Sequence, residues 1–126
     1  MNTSVSHVPG EIRDVLQTYF DGLHRGDVDA LRRVFHPHAA LFGEIRGQPY
    51  QKSLSDYLQI VAARASPQAL GETFRMAILS VDVVGSIACA KVHCPMLGQN
   101  YIDFLSLVRS DDRWVVVNKT FTHIDA

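Results

Sequence analysis

Asp103 is the residue of this sequence whose surroundings best suit acid–base chemistry. It lies in a β-branched and aromatic run, and its neighbours on the same strand face are Tyr101 and Leu105. Such surroundings exclude water from a carboxylate, which suits it to give or take a proton. Asp103 can equally have a structural role, fixing the sheet through hydrogen bonds to Asn118, Thr120 or backbone amides. The sequence leaves both roles open.

Two histidines, His36 and His38, form an H-x-H pair that an extended segment projects to one side. A zinc site needs more protein ligands than two, and no third is identifiable by spacing, so we predict no metal site. His38 begins a predicted strand and is a second candidate for acid–base or hydrogen-bonding chemistry at a pocket mouth. The sequence contains no phosphate loop, dinucleotide fingerprint, C-x-x-C or nucleophile elbow, and we predict no cofactor.

Three helices are predicted to position these groups. Apolar residues at i, i+3, i+4 spacing over 12–23 indicate an amphipathic helix that Gly26 ends. Asp27 is expected to cap a short second helix, which Pro37 ends. Ser53 is expected to begin a third. Tyr19 and Tyr57 lie on the buried faces of these helices, where they are core residues first and pocket walls second.

The rest of the chain has the pattern of a sheet. A short strand is predicted at about 38–45, before Gly47 and Pro49 interrupt it. Four longer runs then alternate in an antiparallel meander: Thr73 to Val84, Ile87 to Cys94, Tyr101 to Arg109 and Trp114 to His123. The fold class is therefore α+β, with a sheet that curls and helices that close one side of it. The concave space between them is the expected pocket.

Strand pairing predicts which side chains face that space. If the last hairpin turns at 111–112, Leu105 lies opposite Asn118, and Asp103 lies opposite Thr120. Trp114 shares this face with them. A slip of one residue would exchange the two faces. The predicted ligand-binding set comprises Tyr19, Tyr57, Tyr101, Leu105, Trp114, Asn118 and Thr120.

The opposite face of the same hairpin is too apolar for open water. It carries Phe104, Val115, Val117, Lys119 and Phe121, and we expect a second copy of the chain to cover it as a homodimer. On that face Lys119 would have to extend out to solvent or pair with an acid such as Asp82, so alternation argues against a Schiff-base lysine.

Composition sets the remaining expectations. The chain has 126 residues, 47% of them apolar and 20% charged, which fits a single domain (1–126) with a flexible start at 1–8. A formal charge of -1 without a basic stripe argues against a nucleic-acid partner. No apolar run reaches the roughly 20 residues that cross a membrane. Cys89 and Cys94 lie too far apart on one strand to pair, and we expect two buried thiols in a cytoplasmic protein.

Several segments resemble one family in order and spacing. They are the Tyr19 to Leu23 segment with Gly26-Asp27, Leu31 to Pro37, Asp56 to Leu58, Ser66-Pro67, Asp103 to Leu107 and Arg113 to Phe121. Together they resemble the NTF2-like superfamily, and within it the SnoaL-like and putative lumazine-binding group. The resemblance implies a cone-shaped fold on which isomerases, cyclases, dehydratases and non-catalytic binding proteins have been built.

Three hypotheses follow. The chain binds a small, largely apolar molecule in its cone; or it is an isomerase, cyclase or dehydratase that uses Asp103 as acid and base; or it is a protein-interaction module without catalysis.

Overall fold

Three helices and a seven-stranded sheet make up the computed structural model, which describes residues 2–3 and 8–125. The helices are α1 (Gly10–Arg25), α2 (Val28–Val34) and α3 (Leu54–Ala63). The strands are β1 (Asn2–Thr3), β2 (Phe35–Ile45), β3 (Gln48–Ser53), β4 (Ala77–Val84), β5 (Ile87–Met96), β6 (Gln99–Ser110) and β7 (Arg113–Ile124). The predicted α+β class, with helices packed on a curved sheet, is confirmed.

The helix ends follow the signals in the sequence. Gly26 ends α1 in the left-handed conformation, with φ 68°. The Asp27 carboxylate accepts a 3.1 Å hydrogen bond from the Ala30 backbone N–H at the start of α2. The Ser53 hydroxyl accepts a 3.1 Å bond from the Asp56 backbone N–H at the start of α3. These residues fix where α1 ends and where α2 and α3 begin.

Strand order in the sheet is β1-β4-β5-β6-β7-β2-β3, so the predicted meander of four antiparallel strands is confirmed. Two features were not predicted. β2 returns to pair in parallel with β7, and β3 forms a hairpin with β2 around Arg46 and Gly47, both of which have positive φ. Pro37 lies inside β2, although proline has no backbone N–H to donate to a neighbouring strand. The β2–β7 pairing is irregular between Phe35 and Ala40, so no such hydrogen bond is needed at this position.

A β-bulge decides which residues of β7 face the helices. Leu107 pairs with Val116 as predicted, but the register shifts between Ser106 and Leu107, and Val117 is the extra residue. Leu105 therefore lies opposite Lys119, not Asn118. Beyond the bulge the predicted pairing was wrong, and every side chain of β7 changes face.

The core fills the space between the helices and the concave face of the sheet. Its largest fully buried side chains include Tyr19, Phe35, Leu41, Leu105 and Leu107. The start of the chain is only partly described: Asn2 and Thr3 pair with β4, while residues 1 and 4–7, to which the prediction of flexibility also applied, lie outside the described residues. Over the described part of the chain, no helix has the length and apolarity to span a bilayer.

Candidate functional site

A cavity of about 110 Å³ lies between the helices and the concave face of the curved sheet. Residues from α1, α3 and five strands form its wall, most of which is apolar. Its polar lining residues are Tyr50, Tyr57, Arg64, Tyr101, Asp103 and Lys119. Tyr50 and Tyr101 are only half-buried, so the cavity reaches the surface on their side. An apolar cavity with a few convergent polar groups is the usual form of a small-molecule site.

Asp103 lies at the inner wall of this cavity and is only 1% exposed. The Tyr19 hydroxyl donates a 2.6 Å hydrogen bond to its Oδ2 atom. Lys119 Nζ lies 3.8 Å from the same oxygen. A carboxylate at this depth needs such partners, because burial of an unpaired charge is costly.

Lys119 is 6% exposed and lies among aromatic rings. Its Nζ donates a 3.4 Å hydrogen bond to the Tyr57 hydroxyl. The same atom lies 4.9 Å from the ring centre of Tyr57, 5.2 Å from that of Phe121 and 5.4 Å from that of Tyr19. The ammonium is thus held by one carboxylate, one phenol and three ring faces.

These neighbours set the charge of Lys119. Burial by itself lowers the pKa of the Lys119 ammonium, but the Asp103 carboxylate, followed by Tyr57 and Cys94, outweighs it and leaves the pKa raised. The side chain is therefore a cation at neutral pH. A charged amine can donate hydrogen bonds to a ligand oxygen but is not a nucleophile.

Two further groups near Asp103 keep their protons. Burial, and after it the Asp103 carboxylate, raises the pKa of the Tyr19 phenol well above its usual value. Burial and Asp103 act in the same order on the pKa of the Cys94 thiol, which is also raised. Tyr19 is therefore a hydrogen-bond donor, and Cys94 is not a thiolate nucleophile.

The structure brings together four of the predicted site residues. Asp103, Tyr57 and Tyr101 line the cavity, and Tyr19 contacts Asp103 directly. Leu105 is fully buried and belongs to the core between its partners on β5 and β7.

The other predicted site residues lie elsewhere. Asn118 and Thr120 are on the opposite face, because the bulge at Val117 reverses the alternation; the Thr120 hydroxyl donates a 3.0 Å bond to Asn118 Oδ1. Trp114 precedes the bulge and packs at the α1 end of the sheet, away from the cavity. His38 is exposed on β2 and does not line the cavity.

Lys119, Phe121 and Arg64 line the cavity and were missed as site residues. The same bulge moves Lys119 and Phe121 from the predicted dimer face to the concave face. One signal for Lys119 was available: its neighbours at alternate positions, Val117 and Phe121, are apolar, and a lysine is buried on an apolar face only when it has a partner. Cys89 also differs from expectation: it is exposed, whereas Cys94 is buried. Among the described residues, no three side chains gather as a metal site.

This architecture is shared with proteins of the NTF2-like class. An NTF-2 like protein of unknown function from Silicibacter pomeroyi DSS-3 superposes with a TM-score of 0.82 at 28% identity, over 90% of this chain and 93% of that one. A similar protein from Shewanella baltica OS155 superposes with a TM-score of 0.81 at 22% identity, over 99% and 100% of the two chains, which shows the fold alone.

The family is shown by sequence. Residues 8–122 match the family described as "Putative lumazine-binding", and the chain belongs to it. One curated relative, the aldolase FrzH of Cladobotryum sp, is 22% identical over 103 residues, which cover 82% of this chain and 81% of that protein.

Proposed function

We propose that this protein binds a small, largely apolar molecule in the cone and holds one oxygen of it near Lys119. The observation that carries the proposal is the buried Lys119–Asp103 pair, whose two side chains both line the cavity. A buried ion pair adds little to stability compared with apolar side chains of similar volume. Its position on the cavity wall supports a role in ligand recognition.

The surroundings of the pair define what such a ligand offers. Most of the wall is apolar, so the body of the ligand is apolar too. The Lys119 ammonium and the Tyr57 hydroxyl are two hydrogen-bond donors that lie 3.4 Å apart. Together they can bind one carbonyl, enolate or carboxylate oxygen of the ligand. His38 and Thr120 take no part, because both are exposed outside the cavity.

Binding can be tested with small aromatic compounds of cavity size. In a ¹H–¹⁵N NMR titration, benzamide is expected to shift the amides of Asp103 and Lys119. The Lys119→Met variant removes the ammonium and should weaken binding about tenfold or more, because the ligand oxygen loses a charged donor. Lys91→Met, at an exposed position of β5, is the matched control. If neither benzamide nor benzoate perturbs the cavity residues, the proposed binding function is wrong.

A second candidate is catalysis by proton transfer. The Asp103 carboxylate would take a proton from the carbon next to a substrate carbonyl, and Lys119 with Tyr57 would stabilise the enolate oxygen that forms. The aldolase name of the Cladobotryum relative supports this class of reaction. With an enolisable carbonyl substrate, Asp103→Asn should abolish turnover and change affinity only a few fold. Turnover that survives this substitution would exclude the role of Asp103 as base.

We also propose that the convex sheet face joins two copies of the chain. Large apolar side chains remain exposed there, with Phe104 at 51% and Ile87 at 56%. Both lie on adjacent strands of the antiparallel meander, which supports one continuous contact surface. Contact with a different protein is the alternative, and the oligomeric state distinguishes the two.

A further inference from the structure

We infer that the ligand is a small carboxylate, whose negative charge is met by Arg64 and Lys119 together. The inference rests on the proposed binding function and adds the charge class of the ligand and the residue that selects it. It does not depend on catalysis.

The charges around the cavity are unequal. Two cations, Arg64 and Lys119, line it, and Asp103 is the acidic residue among its lining side chains. Asp103 is already engaged by Lys119 and by Tyr19. One positive charge therefore remains uncompensated at the wall of the cavity, although the whole chain carries a formal charge of -1. A monoanion would neutralise it.

Arg64 is the residue that supplies this excess. It is the C-cap of α3, where its backbone N–H donates a 3.0 Å bond to the Ile60 carbonyl, and its side chain is partly buried at the cavity. Within the described residues, its guanidinium has no hydrogen bond or ion pair. By contrast, the exposed Arg32 pairs with Asp29 at 2.8 Å. An arginine with free donors at a concave site is suited to a carboxylate, since its planar fork matches the two oxygens.

The positive charge of Arg64 acts on Tyr101, a half-buried residue of the cavity wall. Burial raises the pKa of the Tyr101 phenol, and Arg64 is the strongest of the charges that oppose this rise. Tyr101 and Tyr50 pack edge-on against Phe121, with ring centres 5.9 and 5.1 Å away. These rings form an aromatic wall of the cavity against which a flat apolar body can pack. The carboxylate would then lie toward Arg64.

The test compares two probes of nearly the same shape, benzoate and benzamide, by NMR titration of the full chain. Benzoate is expected to bind at least tenfold more tightly than benzamide. In Arg64→Gln this preference should vanish while benzamide binds as before, and in Arg64→Lys, which keeps the charge, most of it should remain. Arg109→Gln, at an exposed position on β6, should leave the preference unchanged.

The outcomes are distinct. Equal affinity of the wild-type chain for the two probes overturns the inference and leaves the proposed binding function intact. A benzoate preference that persists in Arg64→Gln overturns the role of Arg64. Unchanged benzamide binding in each variant shows that the cavity is still folded. If the wild-type chain binds neither benzoate nor benzamide, the proposed function itself is contradicted.

Discussion

The Tyr19 hydroxyl donates a 2.6 Å hydrogen bond to Asp103 Oδ2 and so joins the middle of α1 to the middle of β6. Both groups are buried, and the acceptor is a carboxylate. We expect Tyr19→Phe to lower the free energy of unfolding by about 1.5–3 kcal/mol, because a buried charged acceptor loses its donor. Urea denaturation measures this loss.

Tyr101→Phe is the matched control for that substitution. Tyr101 is half-buried, and in the described part of the chain its hydroxyl has no hydrogen-bond partner. Its removal should cost no more than about 0.5 kcal/mol. Equal losses in the two variants would show that the Tyr19 bond adds nothing to stability.

The Lys119–Asp103 pair should behave as one unit. Lys119→Met or Asp103→Asn alone is expected to cost about 3–5 kcal/mol, because each leaves a buried group without its charged partner. The double variant should cost clearly less than the two single losses added together. Urea unfolding of the four proteins gives the coupling, and strictly additive losses would mean that the two side chains do not interact.

The same site predicts a loss of stability at alkaline pH. The pKa of Lys119 and the pKa of Tyr19 are both raised in the folded chain, so the unfolded chain releases these protons first. The stability that these two groups contribute is fully present below their pKa values in the unfolded chain, at about pH 10. It is lost as the pH rises toward and through their higher pKa values in the folded chain. Each group contributes a slope of about 1.4 kcal/mol per pH unit in that range.

Denaturation midpoints measured between pH 8 and pH 11 test this expectation. The free energy of unfolding should be nearly constant at first and then fall. In Tyr19→Phe the slope of this fall should be smaller by about 1.4 kcal/mol per pH unit, because one titrating group has been removed. A stability that does not change between pH 9 and pH 11 would contradict the raised pKa values.

The convex face predicts a change in association. Phe104→Lys places a charge in the proposed contact between two copies and should convert a dimer to a monomer in sedimentation equilibrium. Leu70→Lys is the control, because Leu70 is 58% exposed but lies in the segment before β4, away from the sheet face. A wild-type chain that is monomeric at high concentration would exclude the homodimer.

Local signals were sufficient to predict most of the fold. Gly26, Asp27 and Ser53 mark helix ends by short-range hydrogen bonding or backbone conformation, and the structure places them where these rules require. The pairing of β2 with β7 was not predictable in this way, because it joins residues about 80 positions apart through backbone groups that every residue carries.

The site was predicted only in part, and one residue accounts for most of the difference. Val117 has no feature that separates a bulged valine from a paired one, yet it exchanges the faces of all later residues of β7. Asp103 lies on β6, which carries no extra residue, and it lines the cavity. Lys119 and Asn118 lie beyond the bulge, and each lies on the sheet face that was predicted for the other.

The central claim is that Lys119 lies inside the cone against Asp103, and the reactivity of the lysines tests it most directly. The chain has three lysines, of which Lys91 is exposed and Lys119 is buried. In acylation under native conditions, followed by peptide mass spectrometry, Lys119 should react at least a hundredfold more slowly than Lys91, and the protection should disappear in urea. If Lys119 of the folded chain reacts as fast as Lys91, the lysine is not inside the cone.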